Sequence, residues 1–210
     1  MTTAIVVFAK APVAGLAKTR LVPALGEVGA AALAERMLRH ALAQAIAADI
    51  GPVELCTTPD APHPVLCALA AASGADLAAQ GLGDLGARME RALARQLRRW
   101  PRVLLIGTDA PALAARQLRQ AASALDDHDA VFVPTLDGGY VLVGQRRPGD
   151  LRYLSGMTWS HPHVMDETRR RLADAGLRWA ELSPVVDIDE PADLASLPSE
   201  WRAGWASSAP

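Results

Sequence analysis

The 210-residue chain has only two cysteines, Cys56 and Cys67. Neither has metal-ligand company, which excludes a disulfide framework and a cysteine-built zinc site and reads as two reduced, structural thiols. Long hydrophobic runs are absent too. Residues 4–9 are apolar, but a bilayer span needs about 20 such residues. With no charged leader and cleavage site beside that run, the expected location is cytoplasmic. Charge of one sign is also missing: 21 basic residues stand against 23 acidic ones, for a net charge of -2. The basic residues are scattered among the acids, so the footprint that drives nucleic-acid binding is not there, and small-molecule partners are expected. Two familiar loops are lacking as well. Lys18-Thr19 matches the end of a Walker loop, but the GxxxxGK[ST] spacing does not occur, and no GxGxxG follows the first apolar run.

What is present is an ordinary globular composition, 50% hydrophobic and 21% charged, with enough apolar residues to bury a sizeable core. One feature of the basic residues stands out. Of the 21, only Lys10 and Lys18 are lysines, and they lie eight positions apart. A compact ammonium on a flexible stem can act as a movable point charge against a phosphate, which a planar guanidinium does less readily.

Short β-branched runs alternate with long alanine- and leucine-rich helical patterns. The expected strands are residues 4–9, 52–57, 76–79, 103–107, 130–134 and 140–143. The expected helices are 27–48, 64–72, 85–100, 113–125 and 162–175, with a short one after Pro191. Such repeated βα units predict a Rossmann-like α/β/α sandwich around a mostly parallel sheet. Residues 1–197 are expected to form one domain and 198–210 a fraying tail, which Trp201 and Trp205 could still anchor.

In a parallel α/β sheet the loops leaving the strands' C-terminal ends collect in one crevice. After the first strand come Lys10, Gly15, Lys18, Thr19 and Arg20: two ammonium groups, a hydroxyl, a guanidinium, and a glycine that lets backbone N–H groups approach an oxyanion. Behind the central strand stands Asp109, a candidate ligand for a hard cation or a helix N-cap. Asp137-Gly138-Gly139 reads first as a hairpin turn, and second as a place where a sugar or other acceptor could lie against backbone. In Asp187-Ile188-Asp189-Glu190-Pro191, alternation sends Asp187 and Asp189 to one side, where both could meet the same cation; the competing reading is helix capping.

The motifs Phe8-Ala-Lys10-Ala-Pro12, Gly15-x-x-Lys18-Thr-Arg20-Leu21, Gln80-Gly-x-Gly83-Asp84-Leu-Gly86-x-Arg88, Gly107-Thr-Asp109-x-Pro111, Asp137-Gly-Gly-Tyr140 and Asp187-Ile-Asp189-x-Pro191 follow one another in this order. In that order the chain resembles the bacterial glycosyltransferase-like family associated with radical-SAM and selenodomain proteins. That family belongs to the nucleotide-diphospho-sugar transferase (GT-A) superfamily. More distantly the chain is similar to molybdenum cofactor and 2-phospho-L-lactate guanylyltransferases. The resemblance implies a GT-A fold, phosphate contact at Gly15, Lys18 and Arg20, and base contact at Gln80 or Gly83. It also implies Mg²⁺ or Mn²⁺ on Asp109 and Asp189, with Asp187 as second choice. The implied activity is a metal-dependent transferase taking a nucleotide donor, an NTP or an NDP-sugar, and a small-molecule acceptor. Lys18, Arg20 and Asp109 would be its catalytic residues. The alternative is a non-catalytic nucleotide-binding module on the same fold.

Overall fold

The computed structural model describes residues 1–60 and 63–202. Seven strands, β1 (Thr3–Lys10), β2 (Val53–Thr58), β3 (Asp76–Ala79), β4 (Arg102–Ile106), β5 (Ala130–Pro134), β6 (Tyr140–Arg146) and β7 (Trp179–Glu181), form one sheet in the order β3-β2-β1-β4-β6-β5-β7. All neighbours run parallel except β6, which lies antiparallel between β4 and β5. The principal helices are α1 (Val22–Ala48), α2 (Pro64–Ser73), α3 (Leu85–Leu97), α4 (Ala115–Ala124) and α5 (Val164–Asp174), and α6 (Ser199–Arg202) is a last short turn.

The two-residue period of β1 divides the core. Ile5, Val7 and Ala9 face one layer with α1, α2 and α4, whereas Ala4 and Val6 face the other with α3 and α5. Burial on both faces accounts for the nearly unbroken apolar run of this strand. The α/β/α sandwich and mostly parallel sheet therefore match the architecture read from the sequence.

Several details differ from it. β7 was not anticipated, because three residues are too few to show a period. α1 begins before residue 27 and is interrupted at Gly26, whose φ of 68° breaks the helix where the periodic pattern starts. Trp201, placed by periodicity in a fraying tail, is buried with Leu21, Met37 and Ile188 and meets the His40 ring edge-on at 5.2 Å. The packed body thus runs past residue 197, and residues 203–210 of that expected tail lie outside the described residues. Among the described residues no helix is long and apolar enough to cross a membrane.

Candidate functional site

β1 and β4 are adjacent and parallel, so the loops leaving them open side by side. Between them lies a cavity of about 410 Å³ lined by Lys10, Lys18, Thr19, Arg20, Gln80, Asp109 and Asp189, together with Phe8, Leu85 and Arg88. Three parts of the sequence, the outermost 170 positions apart, converge at one atom. The Lys18 Nζ lies 2.7 Å from Asp109 Oδ1, 2.6 Å from Asp189 Oδ1 and 2.6 Å from the Ile188 carbonyl oxygen.

The local fold explains this convergence. Lys18 adopts a left-handed backbone (φ 48°) immediately before a 3-10 turn at Thr19–Leu21, which throws its side chain off the chain's course. The Ile188 N–H donates to the Asp109 carbonyl at 2.8 Å, pinning the late acidic segment to the end of β4. The capping readings of Asp109 and Asp189 are corrected here. The N-cap of α4 is Ala114, five residues beyond Asp109. The turn after Pro191 has Glu190, the other residue that reading offered, at its N-cap, and Asp193 Oδ2 accepts from the Asp189 and Glu190 N–H groups. Both carboxylates are left for the crevice, about half exposed, while the Lys18 side chain is only 8% exposed. Burial pulls the Lys18 pKa down, but the charges of Asp109 and Asp189 outweigh it and the net direction is up. The ammonium stays charged.

The other expected site residues divide. Lys10 donates to the Leu16 carbonyl at 2.7 Å, folding the first loop back on itself, and Gly15 (φ 75°) supplies its left-handed turn. Gln80 lines the cavity, but its Nε2 is committed to the Ala9 and Cys56 carbonyls. Gly83 is not among the residues that line the cavity; its carbonyl accepts from Arg88 Nε at 2.8 Å. That contact aims a guanidinium at the cavity from the first turn of α3. Arg88 was quoted above only as part of a motif. Among 19 arginines nothing in the sequence singled it out.

Asp137, Gly138 and Gly139 form the β5–β6 hairpin turn: Asp137 Oδ1 accepts from Thr135 Oγ1 at 2.5 Å and from the Gly139 N–H at 3.0 Å. Gly138 (φ 92°) faces the Pro162 carbonyl so closely that a Cβ there would lie 1.9 Å from it. This glycine is used for packing, and the three residues are absent from the lining of the Lys18 cavity.

Asp137 instead borders a second cavity of about 490 Å³, with Arg20, Asp187, Asp189 and Glu190. Asp187 is absent from the lining of the first cavity, although the charges of Asp189 and Asp109 still reach it. Burial first, and then the charge of Asp137, push its carboxyl up to about 6 from an ordinary 3.8. A raised acid is stabilising while neutral: its contribution is intact below about 3.8 and is lost as pH climbs through 6. Asp187→Asn should therefore raise the melting temperature at pH 8 in the presence of a chelator. Allowing for solvent screening, about 1 kcal/mol, or roughly 2–4 °C, is expected. Below pH 4 the variant and parent should melt together.

Two half-exposed carboxylates and a carbonyl around one point suit a hard divalent cation, which takes one or two carboxylates and completes its shell with substrate phosphates and water. Among the described residues no group of three or more His, Cys, Asp or Glu side chains could hold a metal by itself. The donor set fits an ion shared with a phosphate substrate and does not fit an all-protein cage.

Sheet order, the crevice at the ends of β1 and β4 and the acidic return after Ile188 define the fold of nucleotide-diphospho-sugar transferases and nucleotidyltransferases. Within it the chain belongs to the family described as "Uncharacterized protein conserved in bacteria (DUF2064)", whose profile matches residues 31–161. A solved candidate nucleotide-diphospho-sugar transferase from Desulfovibrio desulfuricans G20 superposes with a TM-score of 0.86 at 28% identity, covering 99% of this chain and 90% of that one. CMP:2-keto-3-deoxy-manno-octonic acid synthetase complexed with CTP gives a TM-score of 0.58 at 16% identity over 100% of both chains. Rv0371c of Mycobacterium tuberculosis H37Rv, solved with manganese, gives 0.56 at 19% over 94% of this chain and 98% of that one. These last two likenesses are of fold. No curated protein matches the chain.

Proposed function

We propose that the chain is a divalent-metal-dependent transferase that uses a nucleotide donor and a small-molecule acceptor, and that residues 1–197 carry the activity. The observation that carries this reading is the meeting of Lys18 with Asp109 and Asp189 in one cavity. The motif order favours the branch associated with radical-SAM and selenodomain proteins.

Nucleotidyl transfer fits the cavity's charge better than glycosyl transfer. Lys10, Lys18, Arg20 and Arg88 outnumber Asp109 and Asp189 among the lining residues, which suits the higher charge of a triphosphate. Glycosyl transfer is the second reading, favoured by the description of the Desulfovibrio relative. In the first case an oxygen of the acceptor attacks the α-phosphorus in line. A new P–O bond forms as the bond to the bridging oxygen breaks, and pyrophosphate leaves with the electron pair. Lys10 and Arg20 hold the terminal phosphates, and Arg88 approaches from the opposite wall. Lys18 and Arg20 stabilise the departing pyrophosphate, while the first loop fixes the donor's orientation. Asp109 and Asp189 would hold a divalent ion, which when bound would neutralise charge at the phosphates.

The test is incubation with NTPs or NDP-sugars and phosphorylated acceptors, with Mg²⁺ or Mn²⁺. Pyrophosphate release is expected; nucleoside diphosphate release would assign glycosyl transfer. Metal-dependent nucleotide binding without either product across a broad panel would make the chain a binding module.

A further inference from the structure

We propose that Lys18 is the resident cation of the Asp109–Asp189 pair, and that a divalent ion enters only by displacing it, so that metal binding is coupled to arrival of the donor's phosphates. The proposal rests on the transferase reading for the identity of the donor, but the competition itself rests on geometry alone.

Three oxygens surround the Nζ at 2.6 to 2.7 Å. This arrangement uses all three of its N–H donors. It also takes Oδ1 of each carboxylate and leaves a hard cation only their Oδ2 atoms, of which that of Asp189 lies 3.9 Å from Arg20. A divalent ion on the same two carboxylates would stand beside an ammonium whose own side chain is 8% exposed, and two like charges that close repel. One of them must leave. The Asp oxygens cannot follow the lysine, since the Ile188 N–H to Asp109 carbonyl bond and the two amides capped by Asp193 fix their backbones.

The lysine can move. Its four-carbon stem leaves the loop at the left-handed residue before Thr19, and Lys18 borders the same cavity as Lys10, Thr19 and Arg20. A phosphate entering that cavity offers the ammonium a new anionic partner and offers the metal the oxygens it still lacks. Donor and metal therefore favour each other's binding, and by linkage the effect is reciprocal. This also gives a reason for lysine at position 18 in a chain with 19 arginines. A planar guanidinium with five donors in a rigid fork would neither fit the three-oxygen cage nor leave it as a compact point charge.

The test is titration of the full chain with Mn²⁺ alone, followed by the electron paramagnetic resonance of the free ion. Lys18→Met should bind Mn²⁺ at least ~10-fold more tightly than the parent, the scale set by loss of charged hydrogen bonds. Lys18→Gln should behave likewise and serves if the methionine variant does not fold. Lys10→Met removes the same charge from the same cavity but not from the carboxylates, and should change affinity by less than ~3-fold. Equal affinity in the parent and both Lys18 variants, or tight Mn²⁺ binding by the parent without nucleotide, overturns the proposal. A thermal-shift screen of the parent with NTPs and Mn²⁺ reads the transferase interpretation separately. Tighter Mn²⁺ binding by Lys18→Met with no nucleotide response would uphold the competition and reject the donor.

Discussion

Replacing Asp109 with asparagine is expected to lower turnover ~10²- to 10³-fold while leaving the fold within about 1 kcal/mol of the parent, the usual effect of removing one transition-state stabilising charge from an exposed position. The fold should survive because this carboxylate caps no helix and its ion pair is with Lys18, which has other partners. The N-cap of α4 is Ala114, and the bond that fixes the late acidic segment uses the Asp109 carbonyl, which asparagine retains. Lys18 keeps Asp189 and the Ile188 carbonyl as partners. The charge that would neutralise the phosphates is lost, and asparagine's amide offers only a weak oxygen ligand. Steady-state kinetics at saturating metal, read beside a melting curve, check both halves. Asp189→Asn should cost about as much. Asp187→Asn should cost less than ~10-fold, since its carboxylate borders the neighbouring acidic cavity. The reverse ranking would move the cation into that second cavity.

The contrast between these aspartates shows what the sequence could carry. A parallel α/β arrangement sends every strand's trailing loop to one edge, so Lys10, Lys18 and Asp109 could be placed in a shared crevice from strand order alone. The alternation of apolar and acidic residues also put Asp187 and Asp189 near it. The pairing of Asp189 with Lys18 was beyond reach, because it depends on a left-handed residue and on the bond that ties residue 188 to residue 109. The resemblance gave Lys18 a phosphate, whereas the fold gives it two carboxylates. Arg88 was legible only as one arginine among many. β7 was too short to show a period, and the antiparallel insertion of β6 followed from a hairpin turn whose first glycine, Gly138, serves packing against Pro162. Local patterns thus located the loops, and tertiary contacts decided what each side chain met.

The largest effect on stability is expected in the core, at a polar group that β2 carries inside. Glu54 is buried on β2, one strand in from the sheet's edge, its Oε1 accepting from Arg95 at 2.5 Å and its Oε2 from Gln96 at 2.6 Å. Both donors project from the last turn of α3, so this carboxylate joins helix to sheet. Glu54→Ala removes the acceptor and leaves buried donors behind, a change that typically costs about 3–5 kcal/mol. The Arg95 side chain is 28% exposed and can partly rehydrate, whereas Gln96 is 3% exposed and cannot. The lower end, about 3 kcal/mol, is therefore expected, or roughly 6–12 °C in melting temperature for a domain of this size. If the loss comes from orphaned donors, and not from the cavity, then Glu54→Leu combined with Arg95→Met and Gln96→Leu should recover most of it. Urea denaturation of the single and triple variants separates the two causes. A triple variant no more stable than Glu54→Ala would assign the cost to packing and would make the carboxylate's hydrogen bonds incidental to the β2–α3 junction.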